Sequence, residues 1–263
     1  MIRLVDTHCH LNFASYDDDR DSVIKRAEQA GVDRVIVPAI DSKTAQEALA
    51  LAEHYPGIFA AVGTHPNSTV HFHPSQLDLI GDFARKPRVI AIGEIGLDYY
   101  WDQSPRADQI RAFEAQLQLA VELKLPVIIH NRDASEDVIA ILEAWAAALP
   151  PALRDRPGVL HSFSASQVIA ERALIAGFMI GFTGPVTFKN ADELRTLAAA
   201  TPLERVLIET DGPFLTPVPH RGRRNEPAYV RLIAERLAAV KDISIEAFAA
   251  ASTANAERLF QIG

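Results

Sequence analysis

The chain has 263 residues, of which 48% are hydrophobic and 23% charged, and a formal net charge of −8. That length suits one large domain or two small ones, and the acidic balance excludes a bulk basic footprint, so a polyanionic partner would have to be met by local cations or metal ions. One cysteine excludes an internal disulfide, no basic segment leads into an apolar signal core, and no apolar run reaches membrane-spanning length; the expectation is a cytoplasmic protein with no membrane partner.

Apolar, β-rich runs recur at 2–7, 34–39, 58–64, 89–95, 127–130, 158–162, 178–182 and 206–209. Between them lie stretches of helical periodicity at 22–30, 44–54, 76–84, 106–123, 136–147, 167–176 and 191–199, and two more at 228–240 and 245–260 follow the last strand. The first run leads into "VDTHCH". Side chains alternate along a strand, so His8 and His10 should share one face and Cys9 take the other, as a small buried hydrophobe. Asp6 is then expected on the inward face below His8, orienting a ligand histidine.

Several junctions carry their own signals. Gly31 and Gly177 stand where a helix ends and a strand begins, the left-handed capping position. Asp41-Ser42 and Ser135 read as helix N-caps, and Pro105 suits the first turn of the long helix. The acidic run "YDDDRD", 16–21, reads as capping the helix it opens. Eight strands alternating with helices imply parallel βαβ units, and eight closes a barrel; no G-x-G-x-x-G follows the first strand to favour an open dinucleotide-binding sheet. The fold expected is α/β, a single (β/α)8 TIM barrel spanning 1–263.

Active sites of such barrels form at the C-terminal strand ends. His8 and His10 end the first strand, His65 the third, Glu94 the fourth, His130 the fifth, His161 the sixth and Asp211 the eighth. Seven such residues, drawn from nine histidines and selected acids, point to a metal centre. "HFHP" repeats the H-x-H spacing in a proline-flanked loop, where no strand fixes the rotamers, so His71 and His73 read as solvent-facing. His54 closes a helix, near carbonyls it can interact with.

Taken together, "VDTHCHLN", "GTHP", "IGEIGLDYY", "LPVIIHNRDA", "HSFSAS", "IETDGPFL" and "RGRRNEP" resemble, in order, the motifs of the TatD family of metal-dependent deoxyribonucleases, within the amidohydrolase-like superfamily. The resemblance implies a binuclear site in which His8, His10, Glu94 and Asp211 hold one ion and Glu94, His130 and His161 the other. Two departures are visible. Many relatives have Cys-Phe-Ser-Gly after the histidine at 161, where this chain has Ser162 to Ala165, and the commoner amidohydrolases place a carbamylated lysine where Glu94 stands.

The donors are all N or O, which leaves Mg²⁺, Mn²⁺ and Zn²⁺ open; the resemblance implies two divalent ions, Mg²⁺ or Mn²⁺ in use. Two ions roughly 3.5–4 Å apart would acidify a water and clamp a phosphate. Asp211 is the expected general base, and Glu209 either supports a ligand or pairs with a barrel lysine or arginine. His65, Arg132, Arg221 and Asn225 are the expected substrate contacts. "RGRR" offers local positive charge or, alternatively, is a loop anchored by Glu226. Tyr99, Tyr100 and Trp101 either stack on a base or pack under the long helix. The leading expectation is a monomeric 3′ exonuclease on single-stranded DNA or RNA. The alternative is a hydrolase of a small-molecule ester, amide or phosphoester, and the third reading, a metal protein without catalysis, leaves the general base without a purpose.

Overall fold

A computed structural model describes residues 2–70, 72–101 and 103–263. The reading of His71 as solvent-facing lies outside the described residues. Each apolar run forms a strand: β1 (Leu4–Asp6), β2 (Val32–Pro38), β3 (Ile58–Val62), β4 (Val89–Asp98), β5 (Val127–Arg132), β6 (Gly158–Leu160), β7 (Met179–Phe182) and β8 (Val206–Ile208). The helices are α1 (Arg20–Gln29), α2 (Ser42–His54), α3 (Pro74–Ala84), α4 (Arg106–Leu123), α5 (Ser135–Ala147), α6 (Pro151–Arg154), α7 (Gln167–Ile175), α8 (Asp192–Ala200), α9 (Val230–Val240) and α10 (Ile245–Phe260).

All eight strands pair in parallel, in chain order, within one sheet. The two edges meet through Thr7 N–H to Ile208 O at 3.1 Å and Asp211 N–H to His8 O at 2.8 Å. The result is the expected (β/α)8 barrel. Val5, Ile36, Ala61, Ala91, Ile128, Val159, Met179 and Leu207, one from each strand, form a single apolar cluster, as only the inside of a closed barrel allows. Leu259, Phe260 and Ile262 of the C-terminal segment plug its lower end. Alternate strand residues, such as Leu4, Val37 and Val62, pack outward against the helices. With one end plugged, the open C-terminal strand ends are left for a site.

The junction signals are mostly honoured. Gly31 and Gly177 have φ of +89° and +90°, and Asp41 caps α2 through its side chain. Three expectations need correction. Ser135 is the first residue of α5 rather than its cap, and its Oγ accepts from Asn131 Nδ2 at 2.9 Å. Pro105 stands one step before the first turn of α4. Asp19 occupies the cap position of α1, but its carboxylate is drawn away to Arg224 and Arg26. Among the described residues no helix is long and apolar enough to cross a membrane.

Candidate metal centre

The H-x-H pair is positioned by a break, not by a straight strand. β1 ends at Asp6, with Val5 in the barrel interior and Thr7 Oγ1 on Glu209. In a regular parallel strand, residues of equal parity bond the same neighbour. Here Thr7 N–H bonds Ile208 of β8, whereas Cys9 N–H bonds Ile36 of β2. The parity reverses between them, which is what brings His8 and His10 into the mouth with their Nε2 atoms 3.3 Å apart. Cys9 turns away as expected, its Sγ 4.0 Å from Tyr16 Oη and 3.7 Å from Gly212 O. Cys9→Ala should therefore keep the wild-type metal content while costing roughly 1 kcal/mol for the lost sulfur contacts, readable by elemental analysis and a thermal melt.

The same break corrects Asp6. Its carboxylate touches no histidine ring; it accepts from Thr210 N at 2.9 Å and Thr210 Oγ1 at 2.6 Å, fixing the residue before Asp211.

Glu94 is the centre of the mouth. The β4–β5 pairing slips between Ile92 and Ile95, a bulge that re-aims the intervening side chain. Oε2 lies 3.3 Å from His8 Nε2 and 3.7 Å from His10 Nε2. Oε1 lies 2.7 Å from His130 Nδ1, 2.9 Å from His161 Nε2 and 3.6 Å from His65 Nε2. Asp211 Oδ1 joins the first set, 3.7 Å from His8 and 3.6 Å from His10. One carboxylate thus faces two separate groups of donors. Burial disfavours its charge, but the surrounding histidines outweigh that and hold Glu94 well below the ordinary carboxylate range.

The hydrogen bonds behind each ring decide what it presents. His10 Nδ1 faces Pro38 O at 3.3 Å, which places the proton there and turns the Nε2 lone pair to the mouth. His65 is the opposite: Asn67 N–H donates to its Nδ1 at 3.1 Å, so its proton sits on Nε2. Burial and the neighbouring His130 push its pKa down to about 3, leaving a neutral donor suited to an anionic oxygen rather than to a cation, although it clusters with Asp98 and His130. For His161, burial opposes the cation but Glu94, Glu209 and Asp211 raise its pKa to about 9. Glu209 is fully buried, accepts from Ser162 N–H and Thr7 Oγ1, and lies 3.7 Å from His161 Nδ1. Gly181 makes room for it, since a Cβ there would lie 2.5 Å from Glu209 Oε1. Its ionic neighbour is a histidine, not a lysine or arginine.

Asp98 was not singled out from the sequence. It closes β4, buried, with Oδ2 3.0 Å from His130 Nε2. The signal was present in the alternation Glu94, Gly96, Asp98 along a strand three residues longer than expected.

The substrate contacts divide. Arg132 is exposed beside the mouth, its guanidinium 4.1 Å from the Tyr100 ring and 5.6 Å from Trp101. Arg221 is exposed over Phe188 at 3.7 Å. Asn225 is a correction: it is fully buried, its amide donates to Thr210 O at 2.8 Å and Phe214 O at 2.6 Å, and its Oδ1 accepts from Glu226 N–H. Nothing is left for a phosphate. Asn225→Ala should cost about 1–3 kcal/mol for each buried carbonyl left unpaired, seen as a lower melting temperature. Glu226 does anchor the arginine loop, as the alternative reading expected. It pairs with Arg26 of α1 at 2.7 Å, while Arg224 takes Asp19. Tyr99 is structural, its Oη on Asp137 and its ring under Arg106, whereas Tyr100 and Trp101 are exposed. His73 is exposed and caps α3.

The donor set fits a divalent cation on charge as well as shape. Among the described residues, Glu94, Asp98, Glu209 and Asp211 have histidines as their only ion-pair partners. Burial first, then Glu94 and Glu209, push Asp211 up to about 7 against the opposing pull of His161, so added positive charge beside its carboxylate is favoured. His8 Nδ1 is buried with no hydrogen-bond partner among the described residues.

Residues 5–261 match the family model described as TatD related DNase. The chain is 44% identical over 259 residues to YabD of Bacillus subtilis (strain 168), named an uncharacterized metal-dependent hydrolase, covering 98% of this chain and 99% of that one. It is 38% identical over 265 residues to the 3′-5′ ssDNA/RNA exonuclease TatD of Salmonella typhimurium, covering 98% and 99%. The crystal structure of YJJV, a TatD homolog from Escherichia coli K12, superposes with a TM-score of 0.92 at 32% identity over 100% of this chain and 99% of that one. The chain belongs to the TatD related DNase family.

Proposed function

We propose that this protein is a metal-dependent nuclease that removes nucleotides from the 3′ end of single-stranded DNA or RNA. The observation that carries the reading is Glu94, whose Oε2 faces His8 and His10 beside Asp211 and whose Oε1 faces His130 and His161. His8, His10, Glu94 and Asp211 would hold one divalent cation, and Glu94, His130 and His161 a second. Mg²⁺ or Mn²⁺ is the proposed pair in use, and the nitrogen donors suit Zn²⁺ too. When bound, such cations supply Lewis-acid polarisation of the phosphoryl group and a more acidic water.

The chain's own groups do the rest. Asp211 takes the proton of the attacking water, and its 3.6–3.7 Å approach to both H-x-H nitrogens fixes where it can do so. His65 offers Nε2–H to a phosphoryl oxygen. Arg132 and Arg221 supply local positive charge against the chain's net −8, and Tyr100 and Trp101 offer faces to unpaired bases. The buried lone Cys9 accords with work in the reducing cytoplasm, and the protein is proposed to act as a monomer.

The test is hydrolysis of 5′- and 3′-end-labelled single-stranded and duplex oligonucleotides with Mg²⁺, Mn²⁺ or Zn²⁺. Laddering from the 3′ end of single strands is expected. Inactivity on every nucleic acid, beside turnover of a lactone, amide or small phosphoester panel, would overturn the reading.

A further inference from the structure

Asp98 serves two structures with one carboxylate. Its Oδ2 lies 3.0 Å from His130 Nε2 and accepts from Asn67 Nδ2 at 3.2 Å. Its Oδ1 accepts the backbone N–H groups of Tyr100 and Trp101, each at 3.0 Å. The Asp98 backbone is itself clamped by the buried Gln109 of α4, which accepts from its N–H at 2.8 Å and donates to its C=O at 2.9 Å. The carboxylate is therefore aimed by the barrel wall and not by a loose loop.

We propose that Asp98 is a positioning residue that fixes which nitrogen of His130 faces Glu94 and, through its other oxygen, holds the turn bearing Tyr100 and Trp101 beside that histidine. The inference rests on His130 being a metal ligand, as read above. An ionised carboxylate only accepts, so His130 must carry a proton on Nε2. Nδ1 faces an ionised carboxylate too, 2.7 Å from Glu94 Oε1, so the ring here donates from both nitrogens. Nδ1, on the Glu94 side, is the one that would give up its proton to a cation, while Asp98 keeps the proton on Nε2. The turn matters because Tyr100 and Trp101 are 54% and 47% exposed, with rings at 87° and Arg132 stacked over them. Arg132 lies two residues beyond His130 on the same strand. The aromatic ledge and the histidine thus share one acceptor, and Arg132 of the histidine's own strand stacks on the ledge, so a base seated there sits at a fixed offset from Glu94's partner.

Asp98→Asn separates the two duties. Its carbonyl oxygen can still accept from Tyr100 and Trp101, but its NH₂ cannot accept the His130 Nε2 proton. Mn²⁺ titration followed by electron paramagnetic resonance should show roughly 10–100-fold weaker binding. In the Zn²⁺-loaded protein the downfield Nε2–H proton resonance of His130 should be present in wild type and lost in Asp98→Asn, with the Tyr100 and Trp101 amide signals unmoved. Asp98→Ala should displace those amide signals as well. Wild-type Mn²⁺ affinity in Asp98→Asn, or a wild-type spectrum with the His130 proton on Nδ1, overturns the proposal; the second measurement decides even if the variant does not fold. Neither readout uses a nucleic acid, so a failed nuclease assay beside these results would count against the substrate reading alone.

Discussion

Asp211→Asn should lower kcat on a single-stranded oligonucleotide by roughly 10²–10⁴-fold at saturating metal, the range for a lost general base, with KM changed little. The substitution is a clean one. Asp211 has φ +54°, a conformation that aspartate and asparagine both tolerate, so the backbone bears no new cost. Its N–H is held by His8 O at 2.8 Å, and Thr210 before it is held by Asp6, so the side chain stays where it was. A second signature comes from linkage. In the metal-free protein, burial raises Asp211 from the ordinary carboxylate value to about 7. A folded state that binds the proton more tightly than the unfolded one loses stability as pH rises through that window. Asp211→Asn removes the loss, so in chelator its melting temperature should exceed wild type at pH 8 and converge with it near pH 4. Full activity in the variant, or a lower melting temperature at pH 8, would contradict the role.

Local chemistry explains what was readable in advance. The β/α alternation is a property of burial period, and each apolar run became a strand. Cys9 and the H-x-H pair separated as expected, yet for a reason invisible in sequence: parity broke between Thr7 and Cys9 because β8 and β2 each claim a backbone N–H there. The same break moved Asp6 onto Thr210, while Asp98 and Glu209 sit against histidines instead. Asn225 looked like a phosphate contact because it follows an arginine cluster. Its fate was set by two carbonyls, of Thr210 and Phe214, that a one-dimensional pattern does not juxtapose. Glu226 likewise finds Arg26 across 200 residues. The four-residue α6 is too short to show any helical period.

Glu94→Gln should have the opposite stability sign from Asp211→Asn, though both replace a carboxylate in the same mouth. Burial raises each, but Glu94 is met at 2.7–3.6 Å by His130, His161, His8 and His65, and these outweigh burial and hold it well below the ordinary value. A carboxylate with a lowered folded pKa contributes stability above its unfolded pKa, lost as pH falls. In chelator at pH 7, Glu94→Gln should therefore melt below wild type, the gap closing as pH drops under about 4, where the unfolded carboxylate protonates. Metal binding should suffer more than from any outer partner. Glu94 offers one oxygen to each donor group, so its loss should weaken both of the proposed cations by more than the roughly 10–100-fold typical of an outer-sphere change. Elemental analysis after dialysis and calorimetry in chelator read the two effects separately. Retention of wild-type metal content by Glu94→Gln would dismantle the bridging role, and with it the reason two groups of histidines converge on one side chain.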